Sequence, residues 1–129
     1  MYARSELIRF QHCDPAGIVF YPRYVEMINA IVEDWFSEHV GVSFAALHEK
    51  AAIPVVTLNI EFQSPSRIGE RLEFQLEPLR VGRTSLELKI SAQHDGKKRL
   101  TCNLKLVHIS KEDYRPREWP PDLRSKFGL

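Results

Sequence analysis

The residue types and spacing best suited to chemistry occur in one short segment. It reads Asp14-Pro15-Ala16-Gly17-Ile18-Val19-Phe20-Tyr21-Pro22 and precedes a long helical pattern. Backbone N–H groups at the start of a helix lack partners within the helix and carry a partial positive charge. The Tyr21 N–H can act as such a donor, whereas Pro22 has none. A carbonyl held there would gain about 3 kcal/mol per donor as negative charge develops, while Asp14 attacks its carbon or deprotonates a water molecule.

The same segment also has a purely structural explanation. An aspartate that precedes Pro15 and lies close to Gly17 commonly forms a turn or caps a helix. His12 would share a face with Asp14 in an extended segment, and Cys13 adjoins it, but no histidine is placed as an obvious base for that thiol. Spacing alone therefore leaves a catalytic carboxylate and a turn residue both open.

Composition excludes several classes of protein. The 129 residues fit one domain, which we expect to span residues 1–129. A formal net charge of +1 gives no overall attraction to nucleic acid or to an anionic membrane. Cys13 and Cys102 are too few for a disulfide framework, and no stretch approaches the roughly 20 apolar residues of a membrane span. We expect a cytoplasmic protein that binds neither nucleic acid nor membrane.

One long helix, over residues 22–39, is expected to position the Asp14 segment. At 100° per residue its apolar side chains fall in one arc of about 180°. They are Tyr24, Val25, Met27, Ile28, Ile31, Val32, Trp35 and Phe36. An arc that wide indicates a helix packed deeply against a flat partner, most simply a sheet. Gly41 suits the end of this helix, and Ser43 is expected to cap a short helix over residues 44–50.

Strand patterns occupy the rest of the chain. Residues 5–11 read as a first strand, and four later stretches alternate apolar and polar residues with a period of two. The apolar rows are Val56, Leu58, Ile60 and Phe62; Leu72, Phe74 and Leu76; Leu86, Leu88, Ile90 and Ala92; and Leu100, Cys102, Leu104 and Leu106. The pair Asp95-Gly96 predicts a tight hairpin. Residues 112–121 are expected on the surface, followed by a last helical turn at 122–127.

These elements predict an α+β domain in which one helical layer covers one five-stranded antiparallel sheet. The outer strand faces mix polar groups with Val55, Val107 and Ile109. Such a mixture suits contact within a homo-oligomer, and a solvated face explains it nearly as well.

The Asp14 segment resembles the signature of the 4-hydroxybenzoyl-CoA thioesterase family, a group of hotdog-fold enzymes. That family shows Asp-x-x-Gly-Ile/Val-Val-x-Tyr/His-x-x-Tyr after its first strand. This chain has Asp14, Gly17, Ile18, Val19, Tyr21 and Tyr24 at the matching positions. Weaker likenesses follow in the family's order at residues 54–65, 68–72 and 82–85, so the resemblance covers nearly the whole chain.

The resemblance implies a hotdog fold, with a long central helix wrapped by a five-stranded antiparallel sheet. It implies an acyl-CoA thioesterase in which Asp14 is nucleophile or general base and the Tyr21 N–H is the oxyanion donor, with Gly17 in the catalytic segment. It implies no metal and no separate cofactor, since coenzyme A enters as part of the substrate. Active sites are expected at the interface of a homodimer, which could pair further into a dimer of dimers, a homotetramer.

The expected acyl group is aromatic, such as hydroxybenzoyl or benzoyl. Asn29 stands where 4-hydroxybenzoyl-CoA enzymes carry an acid that reads the ring hydroxyl. An amide can bond to a neutral hydroxyl but does not favour a developing phenolate, which leaves other aromatic or short acyl groups open. Further substrate contacts are expected from Ile18, Val19, Tyr24, Thr57, Asn59, Arg83, Thr84 and Ser85. Arg83 is the preferred ligand for coenzyme A phosphate, with Arg80, Lys97, Lys98 and Arg99 as further candidates.

Three alternatives remain at this stage. The first is a thioesterase for general short-chain acyl-CoA or for acyl carrier protein thioesters. The second is a non-catalytic hotdog module that binds acyl-CoA. The third is a hotdog dehydratase, which would need a catalytic histidine or acid on the central helix, whereas Glu26, Glu33 and Asp34 lie on or near its polar side.

Overall fold

Ten helices and strands follow one another along the chain in a computed structural model that describes residues 1–129. They are β1 (Tyr2–Leu7), α1 (Tyr21–Trp35), α2 (Phe44–Leu47), β2 (Ala51–Ala52), β3 (Val55–Phe62), β4 (Arg71–Val81), β5 (Ser85–His94), β6 (Lys97–Val107), β7 (Ile109–Ser110) and α3 (Pro121–Arg124). Short 3-10 turns lie at Phe10–His12 and Ser125–Phe127, and a π-helical turn, Phe36–Val40, extends α1.

The main sheet has five antiparallel strands in the order β1-β4-β5-β6-β3. This is the predicted sheet, with β1 and β3 at its two edges. The strands β2 and β7 form a separate two-stranded pair. The sequence pattern did not predict that pair, because two residues are too few to show an alternation.

Helix α1 packs its apolar arc onto the sheet as predicted. Its buried residues are Tyr24, Met27, Ile28, Ile31, Val32 and Trp35. Full burial of each large side chain stabilises the fold by roughly 1.5–3 kcal/mol. Gly41 ends the helix with a φ of +87°, and its N–H donates to the Phe36 carbonyl. Ser43 caps α2 by accepting the Ala46 N–H, so both predicted helix boundaries are confirmed.

The C-terminal tail returns to the same core. Helix α3 and the turn after it carry Phe127, whose side chain is fully buried between Trp35 and Phe36 at ring distances of 5.8 and 6.0 Å. The buried Trp119 donates its indole N–H to the Ser85 carbonyl at 2.9 Å. The predicted last helical turn is therefore confirmed, and it closes the end of α1.

The first strand lies earlier than predicted. It ends at Leu7, and the Ile8 N–H bonds to the Glu70 carbonyl, outside the ladder that joins β1 to β4. The next residues turn instead of extending, because the buried His12 accepts the Arg9 N–H through Nδ1 at 2.8 Å. Alternation could not reveal this turn, since it depends on a side chain bonding to the backbone.

Strand β3 differs from its predicted register at its start. Val55 pairs with Leu106 and Thr57 with Lys105, so Val56 is an extra residue that forms a bulge. The helix-side row therefore begins with Val55, which lines a groove with Leu58, rather than with the predicted Val56. The strand is also far more exposed than its alternation indicates, because it is a sheet edge that α1 leaves uncovered.

Candidate active site

The Asp14 segment is a closed loop. Cys13 and Val19 pair as a single antiparallel bridge, and the Asp14 N–H donates to the Ile18 carbonyl at 3.0 Å. Gly17 donates back to the Asp14 carbonyl at 2.9 Å and has a φ of +82°, a conformation that favours glycine. The turn requires a positive φ at this position, which glycine adopts readily, so Gly17 has a structural role there.

The Asp14 carboxylate takes part in this turn through only one of its oxygens. Oδ1 accepts the Ala16 N–H at 2.9 Å, which orients the side chain. Oδ2 makes no hydrogen bond within the chain, and the residue is half-buried. The turn explanation and the catalytic explanation are therefore compatible, because the turn holds the carboxylate while one oxygen remains free.

The start of α1 offers a free donor beside this loop. Phe20 precedes the helix in an extended conformation, held by a 2.9 Å bond from its N–H to the His12 carbonyl. The Tyr21 N–H donates to no group of the chain, and Pro22 carries no N–H. The first available donor of α1 is therefore the Tyr21 amide, where the helix dipole favours negative charge.

One shallow cavity of about 320 Å³ lies against Asp14 and reaches Phe20, the residue before α1, and Arg23 in the first turn of the helix. Asp14, Phe20 and Arg23 line it together with Gln11, Cys13 and Pro15. Arg23 pairs with Glu26 at 3.0 Å, which partly neutralises it. A carbonyl bound in this cavity can meet a nucleophile or base from the loop, and the Tyr21 N–H follows directly after the lining residue Phe20.

Three of the predicted substrate contacts do not line the Asp14 cavity. Val19 is buried and donates its N–H to the Ser66 carbonyl at 2.9 Å. Tyr24 is buried too, its hydroxyl donates to Ser66 Oγ at 2.8 Å, and burial raises the pKa of its phenol. Ile18 is half-buried and pairs with Arg67 as a bridge. In a single chain these residues support the loop rather than line its cavity.

Asn29 lies in a different opening. It lines an apolar groove of about 590 Å³ between α1, α2 and the edge strand β3, with Val25, Ile28, Val55 and Leu58 among its walls. The helix rises about 12 Å between Tyr21 and Asn29. Within one chain, the Asn29 groove and the Asp14 cavity have no lining residue in common.

Thr57 and Asn59 point away from α1. Their neighbour Leu58 pairs with the buried Leu104 on the helix side, whereas Asn59 pairs with the exposed Asn103. Successive side chains of a strand point to opposite faces. The structure therefore places both polar residues on the outer face of the sheet, and it does not bring them to Asp14 of the same chain.

The predicted coenzyme A segment, Arg83, Thr84 and Ser85, lies at the turn from β4 to β5. Strand β4 begins beside the loop that supports Val19 and runs for 11 residues, about 35 Å, before this turn. Arg83 pairs with Glu118 at 2.9 Å, and the Thr84 carbonyl accepts the His108 N–H at 2.7 Å. These residues are thus at the opposite end of the sheet from Asp14 of the same chain.

Arg99, a further candidate for phosphate, is not free to bind it. Its side chain is only 6% exposed, and its two terminal nitrogens bond to the Glu70 carboxylate at 2.8 and 3.1 Å. The Arg99 guanidinium lowers the pKa of Glu70 to about 2. Sequence reasoning missed this pair and the fully buried Ser66 beside it, because neither shows a local pattern. Lys97 and Lys98 remain exposed at this same end of the sheet.

The sequence is similar to that of a known protein family and of characterised relatives. Residues 8–127 match the family described as the thioesterase-like superfamily. The 1,4-dihydroxy-2-naphthoyl-CoA hydrolase of Synechococcus elongatus is 26% identical over 97 residues, 73% of this chain and 71% of that protein. The corresponding hydrolase of Crocosphaera subtropica is 24% identical over 109 residues, 82% of this chain and 79% of its own.

Solved structures agree on the fold. A 1,4-dihydroxy-2-naphthoyl-CoA thioesterase from Synechocystis superposes with a TM-score of 0.90 at 17% identity, covering 98% of this chain and 94% of that one. A gentisyl-coenzyme A thioesterase gives a TM-score of 0.89 at 20% identity, covering 98% and 100%. No helix of the chain combines the length and apolar character that crossing a membrane requires.

The predicted hotdog fold is thereby confirmed, and the prediction of a thioester hydrolase is confirmed at the level of the family, because the relatives named above are thioester hydrolases. The family match spans nearly the whole chain, including the Asp14 loop, α1 and four of the five strands of the main sheet, β3 to β6. The chain belongs to the thioesterase-like superfamily of hotdog proteins.

Proposed function

We propose that this protein hydrolyses aromatic acyl-CoA thioesters to the free acid and coenzyme A, with Asp14 and the Tyr21 N–H as its catalytic groups. The supporting observation is that Asp14, with one free carboxylate oxygen, lines a cavity together with Phe20, the residue directly before the unbonded N–H of Tyr21. The other residues named as substrate contacts are secondary to this pair.

Two routes of hydrolysis lead to the same products. The thioester oxygen accepts the Tyr21 N–H, which stabilises the negative charge as the carbonyl carbon becomes tetrahedral. Asp14 either attacks that carbon, giving a mixed anhydride that water then hydrolyses, or removes a proton from an attacking water. In both routes water adds to the acyl carbon, and coenzyme A leaves as a thiolate that needs little acid assistance. Neither route uses a metal or a separate cofactor.

An aromatic acyl group is favoured by the side chains around the helix start. Phe20, Tyr21 and Phe62 are 45–62% exposed there, with ring distances of 5.5 Å between Phe20 and Tyr21 and 6.5 Å between Tyr21 and Phe62. Exposed aromatic faces and edges suit an aromatic ring. The relatives named above act on 1,4-dihydroxy-2-naphthoyl-CoA and gentisyl-CoA. A hydroxylated aromatic acyl-CoA is therefore our preferred substrate, with 4-hydroxybenzoyl-CoA among the candidates.

A homodimer is part of this proposal. The outer edge of β3 has unpaired backbone groups, and the strand exposes Val55, Val56, Leu58 and Phe62 by 44–57%. A second copy packed there would cover these residues and could bring its own Asn29, Thr57 and Asn59 to the Asp14 cavity. The Arg83–Ser85 turn could reach coenzyme A only from another copy. A dimer of dimers and a cytoplasmic location remain predictions.

The test is hydrolysis of a panel of acyl-CoAs by wild type and Asp14→Asn. We expect wild type to hydrolyse aromatic members fastest, and Asp14→Asn to lose about 10²–10⁴-fold in kcat. Asp95→Asn is the matched control, since Asp95 lies 91% exposed in a hairpin outside the site and should keep full activity. Loss of thioester absorbance is the better readout, because half-exposed Cys13 would react with thiol reagents. Equal rates for wild type and Asp14→Asn would overturn the proposal.

The same panel tests two of the three alternatives. Preference for short-chain esters or for acyl carrier protein thioesters would replace the aromatic assignment while keeping Asp14. Tight acyl-CoA binding without hydrolysis by wild type would indicate a binding module instead.

A further inference from the structure

We propose that Arg99 is a positioning residue for the catalytic pair, acting through Ser66 on both the Asp14 loop and the first turn of α1. The inference rests on the proposed function, because it concerns how Asp14 and the Tyr21 N–H are held relative to each other. It adds a network of four side chains, the buried Arg99, Ser66 and Tyr24 and the partly exposed Glu70. None of them needs to touch substrate.

Arg99 joins the sheet to the loop that follows β3. From the third position of β6, its Nη1 donates to the Pro65 carbonyl at 2.7 Å, to Ser66 Oγ at 3.2 Å and to Glu70 Oε1 at 2.8 Å. Its own carbonyl accepts the Gln63 N–H at 2.8 Å. Residues 63–70 are thus fixed to β6 at both of their ends, by the backbone at Gln63 and by the ion pair at Glu70.

Ser66 connects this loop to the candidate catalytic groups. It is fully buried, and its Oγ accepts the Tyr24 hydroxyl at 2.8 Å from the first turn of α1. Its carbonyl accepts the Val19 N–H at 2.9 Å, two residues before α1 begins at Tyr21. A single residue therefore bonds to the helix that offers the Tyr21 donor and to the loop that carries Asp14. Movement of Ser66 would change the angle between the two.

Stability alone is a poor explanation for such a network. Breaking a buried ion pair is costly, but replacing the whole pair with apolar side chains is often neutral or stabilising. Arg99 Nε is buried without a hydrogen-bond partner, which adds a cost that an apolar residue would avoid. What a planar guanidinium supplies is direction, since its fixed fork bonds simultaneously to Glu70, Pro65 and Ser66.

The test uses three variants. Tyr24→Phe removes the one bond to Ser66 Oγ, and Ser66→Ala removes the bonds from both Tyr24 and Arg99. Arg99→Lys keeps the charge but loses the fork. We expect kcat for an aromatic acyl-CoA to fall about tenfold or more while KM changes less than twofold. We also expect faster hydrogen exchange at the Asp14, Gly17 and Val19 amides, whose bonds close the loop. Arg4→Ala is the matched control: it removes ion pairs to Glu6 and Asp34, which lie outside this network. Its kcat and loop exchange should match wild type.

The outcomes separate the two proposals. If wild type hydrolyses acyl-CoA and all three variants keep wild-type kcat and loop exchange, the positioning role of Arg99 is wrong and the catalytic assignment stands. If wild type hydrolyses nothing, the proposed function fails, and hydrogen exchange in Tyr24→Phe still shows whether the network orders the loop. If Arg99→Lys does not fold, Tyr24→Phe and Ser66→Ala decide the question, since each removes a single hydroxyl.

Discussion

The geometry at Asp14 is compatible with both interpretations that the sequence left open, a turn residue and a catalytic carboxylate. Oδ1 closes a turn onto the Ala16 N–H, and this bond fixes the direction in which the free Oδ2 points. A carboxylate that must meet a carbonyl at one angle benefits from such a bond, because orientation is set before substrate binds. The turn that Asp14 forms is therefore no argument against its proposed catalytic role.

At the residue scale, Glu70 makes the stability of the fold depend on pH. Its hydrogen bonds from Arg99 lower its pKa from 4.5 to about 2. A lowered folded-state pKa gives stability that is complete above the unfolded value, near pH 4.5, and is lost as pH falls towards 2. We expect about 2 kcal/mol of this contribution to disappear between about pH 6 and about pH 3.

Urea unfolding of wild type and Glu70→Gln at both pH values checks this expectation. Glu70→Gln should be less stable at pH 6 and should lose less stability on acidification, since it has no carboxylate to protonate. Glu77→Gln, at an exposed position of strand β4, should follow wild type. Parallel pH profiles for wild type and Glu70→Gln would show that the ion pair with Arg99 contributes nothing.

At the scale of elements, we expect the turn at Gly17 to affect both stability and activity. A Cβ at this position would meet no atom within 4 Å, so only the φ of +82° opposes a side chain. Gly17→Ala should therefore cost about 1–2 kcal/mol of unfolding free energy and should lower kcat, because the Asp14 loop must change shape to relieve the strain.

Gly96→Ala provides the matched control for Gly17→Ala. Gly96 has a φ of +76° and equally open surroundings, but it lies in the hairpin between β5 and β6. We expect both variants to lose similar stability in thermal or urea unfolding and only Gly17→Ala to lose kcat. A Gly17→Ala protein with reduced stability and wild-type kcat would separate the turn from catalysis.

Sequence reasoning succeeded where a local pattern determines an element. The apolar arc of α1, the left-handed Gly41 and the Asp95-Gly96 hairpin all follow from spacing or from backbone preference, and each is confirmed. The bulge at Val56 was missed because one extra residue changes the register without changing the composition. The bond of His12 to the Arg9 N–H, which ends β1 early, gives no periodic signal either.

The same distinction applies to the candidate site, where neighbours in sequence were predicted together and contacts between distant residues were not. Asp14, Gly17 and Tyr21 are adjacent in sequence, so a motif can predict that they lie together. Arg99, Ser66 and Tyr24 meet across 33 and 42 residues of chain, and only the folded sheet brings them into contact. Thr57, Asn59 and Arg83 lie away from Asp14 of the same chain. The sequence could not predict this, because a motif does not specify which face or end of a sheet a residue occupies.

At the scale of the whole molecule, the edge strand β3 is where we expect a second copy to pack. An exposed apolar edge is a template for pairing with another chain, and Val56 is 57% exposed on it. We expect a homodimer by light scattering, and we expect Val56→Lys to weaken it and to lower kcat/KM, since a lysine at this edge opposes its own copy. Leu79→Lys, an exposed position of β4, should keep at least the dimer. A fully active monomeric wild type would contradict a site shared between subunits.

The most direct measurement of the catalytic arrangement is a crystal structure of Asp14→Asn with an acyl-CoA analogue in which a methylene group replaces the thioester sulfur. We expect its carbonyl oxygen to lie about 2.7–3.1 Å from the Tyr21 nitrogen, with the carbonyl carbon facing the side chain at position 14. A carbonyl bound away from the start of α1, for example inside the Asn29 groove with the Tyr21 N–H unused, would contradict the central claim.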